Sequence, residues 1–379
     1  MLRKIALTLC ALVVLAFGAG LITYLATGPQ APAAGSVSAQ WLQPGPYATA
    51  TLDTVFVDQS RATPANRDYA GTDERTLTTT LWYPTNAEGA HPLVIHSHGF
   101  TSTRTDLGYA AQLLASHGYV VAAPDYPLTF AGAPGGPNSV DVINQPADIT
   151  FLIDSIIALN GDAKPFGGSI DTARIGLMGY SLGGLTTEIA TYHPTLRDPR
   201  IAAAVSIAGP TVGFTETFFA TSDVPFLMIA GTLDHLINFD ANAAPIPSLI
   251  DNGSLLAIEG GTHLGFGAVS EPLFRFMKHP DSLGCAAVLA NLDTDPNDTI
   301  LLLGGAAEGI VPDPSAPAVC EITPDEQALH PGEQQMITSV GVLAFFESVF
   351  GNDDATRASA SQVISSSLST DFAAANTPQ

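Results

Sequence analysis

Arg174-Ile175-Gly176-Leu177-Met178-Gly179-Tyr180-Ser181-Leu182-Gly183-Gly184 is the stretch from which the fold of this chain is read. Arg174 to Met178 is an apolar run of strand length, and Leu185 to His193 places Leu185, Ile189 and Tyr192 at helical spacing. Between them lies Gly-x-Ser-x-Gly, a pattern that in a strand–turn–helix context forces its serine into a sharp, strained turn. Glycines on either side let strand and helix pass close together. The Ser181 hydroxyl is thereby lifted above the sheet, and the backbone N–H of Leu182 is left free to meet an oxyanion. The same pattern fits a glycine-rich turn with an ordinary serine, so partners elsewhere must decide.

Outward from this turn, short apolar runs alternate with helical segments. Thr51–Val57 and Thr76–Tyr83 read as antiparallel opening strands, the second ended by Pro84. Leu93–His96, Tyr119–Ala123, Ile201–Ile207, Pro225–Ala230 and Ser254–Ile258 read as buried strands. Leu107–His117, a long Val140–Leu159 and a final Gln334–Phe350 read as helices. Such alternation argues an α/β architecture, a mostly parallel sheet covered on both faces. Reacting groups in these sheets gather beyond the carboxyl ends of the strands.

A serine hydroxyl needs a base to take its proton. His263 lies in Glu259-Gly260-Gly261-Thr262-His263, directly after the last core strand. Asp234 ends Gly231-Thr232-Leu233-Asp234, at the tip of the strand before it, and is the expected orienting acid. Asp240 is the rival acid, and Asp234 alternatively reads as a helix cap. His279 and His330 are the rival bases, and His235 carries no assignment. The second oxyanion donor is expected from His98-Gly99-Phe100, where Gly99 turns the backbone inward and presents the N–H of Phe100. Phe100 and Tyr180 are expected to border the substrate.

These residues place the chain: it resembles the α/β-hydrolase superfamily across roughly Leu52 to Phe350. Within it, the chain is similar to bacterial serine esterases grouped with dienelactone hydrolases, platelet-activating-factor acetylhydrolases and cutinase-like polyester hydrolases. Thr78-Thr79-Thr80-Leu81-Trp82-Tyr83-Pro84, His98-Gly99-Phe100, Leu114-Ala115-Ser116-His117-Gly118-Tyr119 and Asp171-Thr172-Ala173-Arg174 carry the likeness with the serine, acid and histidine segments. The resemblance implies a secreted, cofactor-free and metal-free ester hydrolase working through an acyl-enzyme. The chain departs from dienelactone hydrolases in having Ser181 where they use cysteine. It departs from the polyester hydrolases in Tyr180 and Leu182 around the serine, and in the segment Leu264 to Gly332 before the final helix. That insert is expected at the mouth of the site as a lid or rim. The same machinery also serves serine peptidases and thioesterases, and a non-catalytic cell-surface module on this scaffold is the reading from another class.

The 379 residues are 46% hydrophobic, enough for one large domain, expected over 47–351. A formal net charge of −23 argues against nucleic acid or anionic membrane as a partner. Arg3 and Lys4 precede an apolar run from Ile5 to Ala26, so residues 1–26 read as an export signal or an N-terminal membrane anchor. Secreted, periplasmic or cell-surface placement follows, with an ester substrate as the partner and a monomeric state expected. Cys285 and Cys320 then read as a disulfide, since a metal site would want more ligands. Pro, Ala, Gly and Ser enrichment makes 27–46 a flexible linker, and the Ser- and Ala-rich 352–379 a loosely held tail.

Overall fold

The computed structural model describes residues 28–160, 165–292, 294–322 and 325–378. In chain order its main elements are α1 (Val37–Trp41), β1 (Thr49–Asp58), β2 (Arg75–Pro84), β3 (Ala90–Ser97), α2 (Gly108–Ser116) and β4 (Val120–Asp125). Then come α3 (Gln145–Ala158), β5 (Ser169–Tyr180), α4 (Leu182–Tyr192), β6 (Ile201–Ile207), β7 (Phe226–Gly231) and β8 (Gly253–Ile258). The remainder holds α5 (Asp281–Leu289), α6 (Pro331–Phe350), α7 (Asp354–Gln362), α8 (Leu368–Asp371) and β9 (Ala375–Asn376).

One sheet runs in the order β1-β2-β4-β3-β5-β6-β7-β8-β9. β3 to β8 are parallel neighbours, while β1, β2 and β9 pair antiparallel at the two edges. This is the α/β-hydrolase fold, and its parallel centre explains the near-continuous apolar runs in the sequence. Alternate residues of each strand enter opposite cores. Val94, Val121, Met178 and Leu227 pack with α2 and α6, whereas Leu93, Ile95 and Leu177 pack with Ile149, Leu152 and Ile156 of α3. The carboxyl ends of β3, β5, β7 and β8 therefore lie at one rim, held between two packed layers.

Three regions differ from the sequence expectation. The Val140–Leu159 helix is split: Ser139–Asn144 is a 3₁₀ turn, and α3 begins at Gln145. Pro146 in the first turn of α3 explains the break, because proline suits a helix start and cannot accept a preceding helical turn. Residues 28–46 do not form a bare linker, since α1 places Trp41 and Leu42 against the main core. Residues 352–378 are not a loose tail either. They bury Val363, Leu368 and Phe372, and β9 adds a strand beside β8. Spaced apolar residues in a Ser- and Ala-rich background were enough to seat this segment on α6. Within β2, Arg75 is fully buried and paired with Asp141 and Asp148.

The export or anchor segment assigned to residues 1–26 lies outside the described residues. Among the described residues no helix is long and apolar enough to cross a membrane. Cys285 and Cys320 form a disulfide, joining α5 to the loop that follows the last helical turns of the insert.

Candidate active site

Ser181 sits between β5 and α4 with φ of 56° and ψ of −119°, a conformation that side-chain-bearing residues rarely adopt. The close passage of strand and helix that enforces it is visible at Gly179, Gly183 and Gly184. A Cβ at Gly179 would fall 1.9 Å from the Gly183 carbonyl oxygen, and one at Gly183 would fall 2.0 Å from that of Ser97. Glycine is therefore required sterically on both sides of the serine.

His263 and Asp234 reach Ser181 from the next strand tips. The Ser181 hydroxyl lies 2.8 Å from Nε2 of His263, and Nδ1 of the same ring lies 2.7 Å from Oδ2 of Asp234. Asp234 is also fixed from behind, because its Oδ1 accepts the N–H groups of Leu236 and Ile237 at 2.8 Å. With Nδ1 donating to the carboxylate, Nε2 is the acceptor that faces the serine. Burial of the His263 ring pulls its pKa down, but the charge and hydrogen bond of Asp234, with Asp281 adding to them, raise it above the usual imidazole value. Asp240 lies in the following short helix and takes no part in this line. His330 caps α6 through Nδ1, accepting the Gly332 N–H, and His279 stacks on His235 with ring centroids 3.4 Å apart.

The oxyanion segment follows β3. Gly99 packs onto Ser181: a Cβ there would meet Ser181 Cβ at 3.3 Å and the Tyr180 ring at 3.2 Å. Its N–H donates to Asp106 at 3.0 Å, and Asp106 also lies 2.6 Å from Nε2 of His96. His98 braces the same turn. Its Nε2 accepts the Tyr126 N–H at 3.0 Å, so Nδ1 carries the proton and donates to the Gly99 carbonyl at 2.8 Å. Leu182 is the first residue of α4, where backbone N–H groups lack partners within the helix. Phe100 and Leu182 thus flank Ser181 on two independently held backbones.

A family model described as PET hydrolase-like matches residues 69–277, more than half of the chain and inclusive of Ser181, Asp234 and His263. The chain belongs to the PET hydrolase-like family. Among curated relatives of this PET hydrolase-like chain, Cutinase 1 of Thermobifida cellulosilytica is 26% identical over 193 residues, covering 48% of the chain and 64% of that protein. Cutinase est1 of Thermobifida alba is 24% identical over 243 residues, covering 62% and 71%. Bis(hydroxyethyl) terephthalate hydrolase of Streptomyces coelicolor is 27% identical over 191 residues, covering 48% and 54%. The chain spans less than two thirds of the length of the first of these.

In this PET hydrolase-like chain two clefts meet at Ser181. The larger, about 480 Å³, is walled by Leu182, Leu185, Val212 and Ile237 and by Val288, Ile300, Pro317 and Val319 of the insert. The smaller, about 340 Å³, runs past Thr101, Thr105, His263 and Phe274 to Gly284 and Ala287 of α5. Phe100, Ser181, Leu236 and Val288 border both. Phe100 thus stands where substrate contact was expected. Tyr180 lines the smaller cleft, although it is only 6% exposed. Its hydroxyl donates to the His263 carbonyl at 2.9 Å, so its polar end also supports the histidine loop.

Three supporting residues had no signal in the sequence. Gln334 of α6 accepts the Thr262 N–H at 3.0 Å and donates to the Thr262 carbonyl at 2.7 Å. Asp106 holds Gly99, and Asp281 of α5 holds the histidine loop. Each acts through a backbone group outside its own turn or helix, so no side-chain spacing marks it.

Proposed function

We propose that this protein is a serine carboxylic-ester hydrolase, cleaving esters with an apolar or aromatic acyl group through an acyl-enzyme. The observation that carries the reading is the unbroken line from a strained serine through imidazole to carboxylate, with bonds of 2.8 and 2.7 Å. Membership in the PET hydrolase-like family and likeness to cutinases support polyester and small aromatic esters as the substrate class.

In this scheme Ser181 Oγ attacks the ester carbonyl carbon while its proton passes to Nε2 of His263. Asp234 keeps the ring in the right tautomer and stabilises the imidazolium. The negative charge on the carbonyl oxygen is met by the N–H groups of Leu182 and Phe100. Collapse breaks the C–O bond, and the alcohol leaves with the proton from Nε2. Water then repeats the sequence, His263 taking its proton, and the acid is released with Ser181 restored. The two clefts suit the two halves of an ester, one on each side of the serine. The disulfide and the apolar leader support action outside the cytoplasm.

The test is a Ser181→Ala variant assayed on p-nitrophenyl and terephthalate esters beside fluorophosphonate labelling of the wild type. The expected loss is roughly 10⁴- to 10⁶-fold in kcat, with one label per chain on Ser181. An active Ser181→Ala protein would remove the assignment.

A further inference from the structure

One carboxylate outside the family match, which ends at Met277, holds both loops of the triad. Asp281 is the first residue of α5 and is fully buried. Its Oδ2 accepts the backbone N–H of His263 at 2.9 Å and that of His235 at 3.0 Å, while Oδ1 accepts that of Leu264 at 2.7 Å. His235 directly follows the orienting acid, and His263 is the base. The loop after β7 and the loop after β8 therefore converge on a single side chain supplied by the insert.

We propose that Asp281 is a positioning residue for ester hydrolysis, fixing the acid loop and the base loop relative to each other and adding negative charge behind the His263 imidazolium. The inference rests on the triad reading above. Three N–H donors on one buried carboxylate form charge-assisted bonds, stronger than neutral ones and directional at both oxygens. Other bonds between the two loops are the His263–Asp234 contact itself, the Leu233 N–H to Gly261 carbonyl bond at 2.9 Å, the Thr232 N–H to Ile258 carbonyl bond at 3.0 Å and the Gly260 N–H to Thr232 Oγ1 bond at 2.9 Å. Asp281 is the side chain that ties both loops to the insert. The disulfide at Cys285 anchors α5 one helical turn beyond Asp281, so the carboxylate is presented from a fastened helix.

Electrostatics agree with the geometry. Burial, reinforced by the neighbouring charge of Asp234, pushes the Asp281 pKa up to about 6, against the pull of His263 and the backbone donors. Around this pair the other polar groups are Tyr180 from β5, His235 stacked on His279, Asp106 acting on Tyr180 from the loop after β3, and neutral Gln334 from α6. Asp281 thus helps to keep the His263 pKa high, a contribution the ring loses if the carboxylate becomes an amide.

The experiment compares wild type, Asp281→Asn and Ser181→Ala on p-nitrophenyl butyrate across the pH range in which imidazole titrates. Active sites are counted by fluorophosphonate. Asn retains one acceptor oxygen and puts an NH₂ where the second stood, so at least one of the three N–H bonds is lost. The expected result is a kcat lower by roughly 10- to 100-fold per titrated site with KM within about twofold. The acid limb of kcat/KM is expected to move to lower pH. An unchanged kcat, or a lower kcat with the limb unmoved, overturns the proposal; the second outcome leaves Asp281 with a purely structural part. An active Ser181→Ala protein fails the triad reading and this inference with it, whereas a labelled wild type with an unaffected Asp281→Asn fails this inference alone. If Asp281→Asn does not fold, hydrogen exchange on the wild type decides. The amides of His235, His263 and Leu264 should exchange slowly and together, and fast exchange at His263 or Leu264 rejects the proposal.

Discussion

The hydroxyl of Tyr180 donates to the backbone carbonyl of His263 at 2.9 Å, so the residue before Ser181 holds the segment that carries the imidazole facing it. The rings of the two residues also tilt against each other with centroids 5.1 Å apart. Serine and histidine are thereby registered through the backbone as well as through their own hydrogen bond. Removing only the hydroxyl, in Tyr180→Phe, keeps the ring packing and frees one buried carbonyl. Such a lost bond costs about 1 kcal/mol, which if expressed in the transition state is roughly a fivefold fall in kcat. Steady-state kinetics at saturating ester check it. A kcat equal to wild type would mean that the hydroxyl does not steady the base.

The pH profile follows from the direction of the His263 shift. A protonated ring cannot accept the Ser181 proton, so activity is lost as pH falls through the His263 pKa. Burial lowers that pKa, but Asp234, with Asp281 adding to it, more than reverses the effect, placing the acid limb above the ordinary imidazole value of about 6.5. In Asp234→Asn the reversing charge is gone while burial remains. The limb should then move to lower pH, with kcat down by about 10⁴-fold from the wrong tautomer. A kcat/KM profile measured in both proteins tests this, and a limb that stays in place in Asp234→Asn contradicts it.

Gly99 tests the oxyanion donor without replacing Ser181, His263 or Asp234. Its Cα lies so near the nucleophile that an added methyl comes within 3.3 Å of Ser181 Cβ and 3.2 Å of the Tyr180 ring. Neither neighbour is free to yield, since Ser181 is held by its turn and Tyr180 by His263. Gly99→Ala should push the Phe100 N–H away from the developing charge. A displaced donor of this kind costs roughly 10- to 100-fold in kcat with little change in KM. Fluorophosphonate labelling should slow in parallel, because the phosphoryl oxygen uses the same donors. Normal labelling with normal kcat would place the second donor elsewhere.

The hydrogen-bonded line of Ser181, His263 and Asp234 was legible because each residue follows a strand, and strand tips are marked locally. Ile175–Met178, Phe226–Ala230 and Leu255–Ile258 are apolar runs that stop where Ser181, Asp234 and His263 begin to follow. Chain order then leaves few ways to pair them. The supports were not legible, because Asp106, Asp281 and Gln334 recognise backbone groups, and a backbone N–H has no letter in the sequence. For Tyr180 the position beside the serine was readable, while the direction of its hydroxyl toward the His263 carbonyl was not. The tail was misread because composition outweighed spacing. Val363, Leu368 and Phe372 fall among serines and alanines, yet those three side chains are the ones turned to the core.

That tail yields the last expectation, on stability. Phe372 is 2% exposed and packs in the same core as α6, and the residues after it carry β9 alongside β8. The pairing is reinforced where β8 ends, as the Glu259 N–H donates to the Ala374 carbonyl at 2.7 Å. From the other side, Asp371 accepts the Ser38 N–H at 2.8 Å, so the segments before β1 and after α7 lock together over the core. Truncating Phe372 to Ala removes a buried ring and leaves a cavity beneath the strand that leads to His263. The cost expected for such a change is about 3 to 5 kcal/mol. Urea unfolding followed by tryptophan fluorescence measures it. Activity per folded molecule should remain within about twofold, because β8 is still held by β7 on its other side. A loss of stability below about 1 kcal/mol would show that the ring is not carried by this core.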